Sequence, residues 1–385
     1  MKFDFCIIGA TGMQGRIVTM DLLNGGYSVF MCGRDKSRVE HFLKQYKKKT
    51  SFGHVDLRDS SNTIKAIKKS CSKVVINCAE GDWNINLLRD CIKAGVHSID
   101  LGSDIPMTRK QLGVNKILKK RGLIHITGCG SVPGIGNVML KHANEKFDKI
   151  DTIEVGFAWD SNMKVFVVPF SIESITEEFV MDAPYLHNHK TVRVKPLNSI
   201  VNCYHRAIGH QKEMRVGHHP ETYTFHRFAE KKGIKNLEFY AGFPEHSFNA
   251  IMTLINLGLS SKKPINFRGS EIRPIDFLTD VLKKLGYPKG YTETENLWVF
   301  IKGKSGGKTK KIFMECVVQP LKGWEWAGCN IDTGMPASII AQMILKKVIT
   351  KPGSYSPEFI IPPGLFFKEL RKRKMVVYEN GKVIN

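Results

Sequence analysis

Apolar residues first gather in a short block, Phe5-Cys6-Ile7-Ile8, which stops at Gly9. A helical spacing follows at Ile17, Val18, Met20, Leu22 and Leu23. This predicts a buried strand, a tight loop and a helix. The same alternation continues. Tyr27–Cys32 reads as a second strand and 36–47 as a helix. His54–Asp59 is expected as strand three and 61–69 as a helix. Strand four is Lys73–Ala79, then a helix over 85–94 closed by Gly95. Strand five is His97–Gly102, a helix covers 108–120, and strand six is Leu123–Gly128. Strands alternating with helices of this length make an α/β fold of the Rossmann type, a doubly wound parallel sheet.

From Lys149 the period changes. Residues 150–159, 191–195 and 297–304 alternate as antiparallel strands do, and 310–318 pairs with the last of these as a hairpin across Ser305-Gly306-Gly307. Helical spacing is confined to 138–144, 172–181, 250–258 and 275–285. A second α+β domain for substrate or dimerisation is the expectation. Residues 335–348 form one more apolar helix, expected to pack back on the first domain. The division is therefore 1–130, 131–330 and 331–385.

Composition narrows the class. At 385 residues, with 42% hydrophobic and 24% charged residues, the chain can bury two cores. No apolar run has the length of a membrane span, and no signal-peptide pattern precedes the first strand. Nine cysteines stand singly, several in apolar strands, as buried reduced thiols do. With no C-x-x-C pair, no metal site is expected. A cytoplasmic protein follows. The net charge of +22 suits an anionic cofactor and substrate. No nucleic-acid motif accompanies it, so neither nucleic acid nor membrane is an expected partner.

The glycines of the first loop fall at positions 9, 12 and 15. Gly9 lets the strand turn, Gly12 admits a pyrophosphate to the backbone, and Gly15 brings the helix close to the sheet. Ala10, Thr11, Met13 and Gln14 complete the loop and first turn, whose free N–H groups suit phosphates. After strand two stand Gly33, Arg34 and Asp35. A guanidinium at Arg34 matches a 2′-phosphate and leaves an NAD ribose without its acceptor, which makes NADP the expected cofactor. Asp35 either caps the next helix or turns inward to a ribose hydroxyl. Asp56 either accepts from the adenine amino group or caps the helix that follows. Asn77, Cys78 and Ala79 end strand four, on the nicotinamide side of such a fold.

The loop Gly128-Cys129-Gly130-Ser131-Val132-Pro133-Gly134 can set backbone N–H groups against a ligand or act as a hinge. Asp100 and Cys129 are the catalytic candidates. Further acid–base candidates are Asp104 and the second-domain histidines, His205, His210, His218, His219, His226 and His246. Glu245 or His246 can also reach the cleft from the turn Gly242–His246. Arg206, Arg215 and Arg227 can clamp carboxylates.

The chain resembles the saccharopine dehydrogenase (saccharopine reductase) superfamily. The likeness rests on Gly9-Ala10-Thr11-Gly12-x-x-Gly15, Cys32-Gly33-Arg34, and Ala94 to Leu101. It continues through Val132-Pro133-Gly134, Pro169-Phe170-Ser171 with Glu177-Glu178, Pro336-Ala337, Lys351-Pro352-Gly353, Ser356-Pro357-Glu358 and Leu370-x-x-Arg373. It implies a two-domain reductase, expected as a homodimer. Its reaction would pass hydride between NADP(H) and the carbon–nitrogen bond of an amino-acid adduct, a small, carboxylate-bearing molecule. One departure is the strand-four exit, Glu80-Gly81-Asp82, where two carboxylates repel a dicarboxylic substrate unless they meet its ammonium group. The competing readings are a catalytically silent NADP-binding sensor or assembly protein, and an enoyl or carbonyl reductase.

Overall fold

A computed structural model describes residues 2–168, 171–217, 219–282 and 284–385. Pro169, Phe170 and His218, named above, lie outside the described residues.

The first layer is a seven-stranded parallel sheet. Its first six strands are β1 (Phe5–Ile8), β2 (Val29–Gly33), β3 (Thr50–His54), β4 (Val74–Asn77), β5 (His97–Asp100) and β6 (Ile124–Ile126). They stand in the order β6-β5-β4-β1-β2-β3. This is the dinucleotide-binding order, with its switch point between β1 and β4. In register, Ile8 lies beside Cys32 and Asn77, and Asn77 beside Asp100. The carboxyl ends of these strands therefore share one rim. The helices of this layer are α1 (Met13–Asn24), α2 (Glu40–Gln45), α3 (Ser60–Ser70), α4 (Asn84–Ala94), α5 (Ile105–Gly113) and α6 (Asn115–Lys120).

Two expectations for this layer are corrected. Strand three lies at 50–54, not 54–59. Its polar sequence, Thr50-Ser51-Phe52-Gly53-His54, hides an edge strand behind the lysine run. The single helix expected at 108–120 is two, broken at Val114. The break presents Asn115, whose Oδ1 accepts from the Ser354 N–H at 3.0 Å.

The second layer is a ten-stranded mixed sheet. Its strands are β7 (Lys149–Ser161), β8 (Ala183–His187), β9 (Lys190–Val194), β10 (Val201–His205), β11 (Gly209–Arg215), β12 (Asn236–Gly242) and four strands further on. β13 (Ile265–Phe267) and β14 (Ser270–Ile272) form a separate hairpin. β15 (Glu293–Ser305) and β16 (Lys308–Val318) are the long central hairpin. β17 (Gly353–Tyr355) pairs with β6 and completes the parallel sheet. β18 (Val376–Glu379) and β19 (Lys382–Val383) extend the second sheet beyond β16. The tail therefore serves both layers.

Helices α7 (Ile135–Asn144), α8 (Ile172–Val180), α9 (Glu221–Ala229), α10 (Glu245–Asn256) and α11 (Pro274–Leu282) belong to the second layer. The tail adds α12 (Ile331–Leu345), α13 (Pro357–Ile360) and α14 (Pro363–Lys372). α12 is buried almost throughout and packs on α1, β4 and β5. α7 packs on β15 and β16. One apolar core runs through both helices and joins the two sheets. Among the described residues, no helix is long and apolar enough to cross a membrane.

Candidate active site

The site lies along the shared rim. Gly9 has φ +77°, and a Cβ there would stand 2.6 Å from Ala79 N, so only glycine lets β1 turn beside the β4 exit. The Ala10 N–H donates to Cys32 O at 2.9 Å, tying loop to β2. Gly15 is set so tightly that an added Cβ would lie 2.2 Å from Gly9 O. Gly12 behaves differently. An added Cβ would meet only Gly9 O, at 3.4 Å, so the space before it is open. No side chain caps α1, and the orphan N–H groups of its first turn stay free. An open glycine, an uncapped helix and a positive dipole end fit a pyrophosphate.

At the β2 exit, Arg34 is exposed. Asp35 accepts from Ser37 N at 3.0 Å and Ser37 Oγ at 2.6 Å. Those bonds hold its carboxyl below the ordinary value and make it the cap of the turn Lys36–Val39. Asp56 lies beyond β3 and forks onto Arg58, with Nε 3.0 Å from Oδ1. That pairing, with Arg34 nearby, depresses its carboxyl. The cap of α3 is Asp59, which accepts from Asn62 N at 2.9 Å, so the capping role considered for Asp56 is corrected. Arg16 stacks over Trp326 at 4.8 Å, and its charge is felt at His41. The adenosine end of the rim is thus strongly basic.

At the β4 exit, Asn77 donates to Asn84 Oδ1 at 2.7 Å and accepts from Ala79 N at 3.1 Å. These bonds fix the backbone of Asn77-Cys78-Ala79 beside Gly9. Burial raises the Cys78 thiol well above its ordinary value. A Cβ on Gly81 would lie 2.5 Å from Ser103 Oγ, so the β4 and β5 exits touch. Glu80 and Asp82 are exposed there.

Asp100 and Cys129 lie below this rim, both fully buried. Asp100 accepts from Gly102 N (2.8 Å), Gly128 N (3.1 Å), Thr127 Oγ1 (3.0 Å) and the Gln111 amide, and its Oδ2 is 3.4 Å from His125 Nε2. Burial alone would raise its carboxyl, but His125 and these donors outweigh burial and hold it low. Both oxygens are thereby committed to the protein. The Cys129 thiol faces Ile126 O at 3.4 Å, and burial, then the Asp100 charge, push it well up. The two residues tie β5, β6 and α5 together beneath the glycine-rich loop. In that loop, the Gly134 N–H donates to Asn137 Oδ1 at 2.7 Å, and Asn137 donates to the buried Glu358 at 2.8 Å.

The second-domain candidates divide. His205 is buried between Glu213 and Asn296, a structural position. His210 is exposed against Tyr204. Arg206 pairs with Glu315 at 3.7 Å and Arg215 with Glu238 at 2.6 Å, while Arg227 stacks on Tyr223. Glu245 is exposed and opens α10, which starts earlier than expected, and His246 Nε2 is buried without a partner among the described residues. His219 stacks on Phe239 at 3.7 Å, with Nε2 3.3 Å from Glu178 and Nδ1 3.7 Å from Glu221. The sequence reading passed over one group altogether. Glu293 and Glu295 on β15 and Asp332 on α12 converge where α12 meets the glycine loops. Two carboxylates at alternate positions, Glu293 and Glu295, at the start of an apolar strand were the available signal.

Two family models cover the chain. The saccharopine dehydrogenase NADP-binding domain matches residues 5–132, and the saccharopine dehydrogenase C-terminal domain matches 130–376. The carboxynorspermidine synthase of Vibrio alginolyticus is 23% identical over 381 residues, covering 92% of this chain and 90% of that protein. The carboxyaminopropylagmatine dehydrogenase of Synechocystis is 22% identical over 331 residues, covering 82% of this chain and 81% of that protein. The structure of saccharopine dehydrogenase (L-Glu forming) from Saccharomyces cerevisiae superposes with a TM-score of 0.77 at 13% identity, covering both chains completely, which shows a shared fold. With both halves matched and a basic, glycine-lined rim fitted to NADP, the chain belongs to the saccharopine dehydrogenase family and is an NADP-dependent oxidoreductase acting at a carbon–nitrogen bond.

Proposed function

We propose that the substrate is the imine joining a di- or polyamine to an amino-acid-derived aldehyde, and that reduction of its C=N bond yields a carboxylated polyamine. The observation that carries this reading is the match over 92% of the chain to a protein whose name describes such a molecule. The exposed Glu80 and Asp82 at the β4 exit support it, because carboxylates there favour a cationic arm. NADPH, when bound, supplies the hydride. The residues of this chain bind and orient. Gly9, Ala10, Thr11, Gly12, Met13, Gln14 and Gly15 hold the pyrophosphate, and Arg34, with Asp35 and Asp56 behind it, takes the 2′-phosphate. Asn77, Cys78 and Ala79 border the nicotinamide. Asp100 and Cys129 act as positioning residues under the floor. Domain limits at 1–130, 131–330 and 331–385, a cytoplasmic homodimer and a carboxylate-bearing substrate belong to the same reading.

The test is NADPH oxidation by the purified chain, supplied with an amino-acid aldehyde and a panel of amines. Oxidation that requires a di- or polyamine supports the proposal. Oxidation only with lysine- or glutamate-derived pairs returns the substrate to saccharopine.

A further inference from the structure

Glu293, Glu295 and Asp332 form a group of carboxylates whose charge the surrounding protein does not balance. The chain carries 58 Lys and Arg residues against 36 Asp and Glu. Yet among the described residues no Lys, Arg or His forms an ion pair with any of the three. Buried carboxylates are ordinarily paired or fully hydrogen-bonded. Glu293 is satisfied, since it accepts from the Cys329 N–H at 2.7 Å and the Tyr291 hydroxyl at 3.0 Å. Asp332 is 2% exposed, and among the described residues its Oδ2 has no donor. Glu295 remains partly accessible.

The surroundings are aromatic. Trp159 stands opposite Glu295 on β7, is 3% exposed, and its indole N–H has no acceptor among the described residues. The rings of Tyr287 and Tyr291 stack at 5.2 Å beside Glu293. Carboxylates among aromatic faces are the chemistry that holds an alkylammonium, by charge and by cation–π attraction.

The group also adjoins the cofactor rim. The Thr333 hydroxyl lies 3.1 Å from Asp332 Oδ1 and 3.3 Å from Ser131 Oγ in the loop after β6. Gln14, in the first turn of α1, donates to Asn330 at 3.3 Å.

We propose that Glu293, Glu295 and Asp332, bordered by Trp159 and Tyr291, are the subsite for a protonated amine of the substrate. The proposal rests on the carboxylated-polyamine reading and names the residues that recognise one ammonium group of the polyamine, apart from Glu80 and Asp82 at the β4 exit. The countercharge missing from the protein is supplied by the ligand. Burial first, then the charges of their carboxylate neighbours, raises both the Glu295 and the Asp332 carboxyls, so the pair holds a proton before the ligand arrives. An arriving ammonium displaces that proton to solvent. The titratable groups facing the pair are Glu293 from the same strand, Cys316 from β16, Cys329 from the preceding turn and, through Glu293, Tyr287 and Tyr291. None of them adds a positive charge, so amine affinity weakens as pH falls.

The experiment is calorimetric titration of the full chain, saturated with NADP, with norspermidine. Glu295→Gln and Asp332→Asn are compared with wild type, and Glu271→Gln on the exposed small hairpin is the control. The proposal expects proton release on binding, at least about tenfold weaker binding in both cluster variants, and no change in the control. NADPH affinity serves as the folding check and should be unaltered. Unchanged norspermidine affinity in both variants overturns the subsite, and so does turnover with unaltered amine KM. In those cases wild-type turnover with amines leaves the substrate reading standing. Loss of both amine binding and amine-dependent turnover in wild type overturns the two together.

Discussion

Arg373, near the end of the chain, grips Asp21 on the first helix, with Nη2 2.7 Å from Oδ2 and Nε 2.8 Å from Oδ1. Ser338 of α12 donates to the same Oδ2 at 2.6 Å. The pair is nearly enclosed, and Asp21 raises the Arg373 guanidinium against the opposing effect of burial. Removing Asp21 leaves Arg373 with Glu369 alone, at 3.2 Å, and takes away the acceptor of Ser338. Asp21→Ala should cost about 3 kcal/mol, the lower end for a broken buried pair, while the double variant with Arg373→Met should recover part of it. Denaturant unfolding of the four proteins gives the coupling, and additivity would sink the idea.

Arg34 carries the discrimination between cofactors. Arg34→Ala should weaken NADPH binding by about tenfold or more, since a charge-assisted bond is worth about 1.5–3 kcal/mol. NADH binding should barely change. Fluorescence titration with both nucleotides decides it, and an equal loss for the two would move recognition elsewhere.

His219 makes stability depend on alkaline pH. Burial opposes its charge, but Glu178 and Glu221 prevail and raise the imidazole from 6.5 to about 9. A folded value above the unfolded one stabilises fully below pH 6.5 and is lost as pH rises through about 9. The loss is on the order of 3 kcal/mol. His219→Gln should be less stable at neutral pH and show a flatter profile across that window. Parallel slopes in both proteins would contradict this.

Asp332 acts in the same direction for another reason. Burial first, then Glu293, raises its carboxyl to about 7. Its contribution is complete below 3.8 and disappears as pH climbs through about 7. Above that, the acidic cluster repels itself. Asp332→Asn should therefore melt higher than wild type near pH 8, by at least about 2 °C, with a smaller gain near pH 5. A lower melting temperature at the higher pH would refute it.

Cys129 should be inert in the native protein, because its thiol is enclosed and raised. Alkylation followed by mass spectrometry should find the exposed Cys71 modified first. Cys129→Ala should retain most of kcat. Rapid native-state labelling of Cys129, or a large fall in kcat with binding intact, would restore it as a reacting group.

How far the sequence could be read follows from the kinds of signal each part emits. The parallel sheet was legible because its strands are buried on both faces and appear as unbroken apolar blocks such as Val74-Val75-Ile76. β3 was misplaced because an edge strand needs no such block. In the second sheet, β12 passed unnoticed although Leu237, Phe239 and Ala241 alternate with Glu238 and Tyr240. The glycine loop announced itself through backbone geometry, a local property. The acidic group did not. Glu293 and Glu295 are separated from Asp332 by a hairpin and a turn, and only the packing of α12 brings them together. Asp100 is the converse case. Its position at the strand end was readable, but the five groups that occupy it come from α5, β6 and the loops.

The return of the tail to the first layer has a consequence for biosynthesis. β17 is the last strand of the parallel sheet, and α12 covers one face of it. Both emerge from the ribosome after every strand of the second sheet except β18 and β19. Until then the nascent nucleotide-binding half has an open edge beside β6 and an uncovered apolar face along α1. That edge and that face stay unpaired until residues made roughly seconds to a minute later arrive. Premature termination anywhere before Tyr355 would thus damage the half that was already translated.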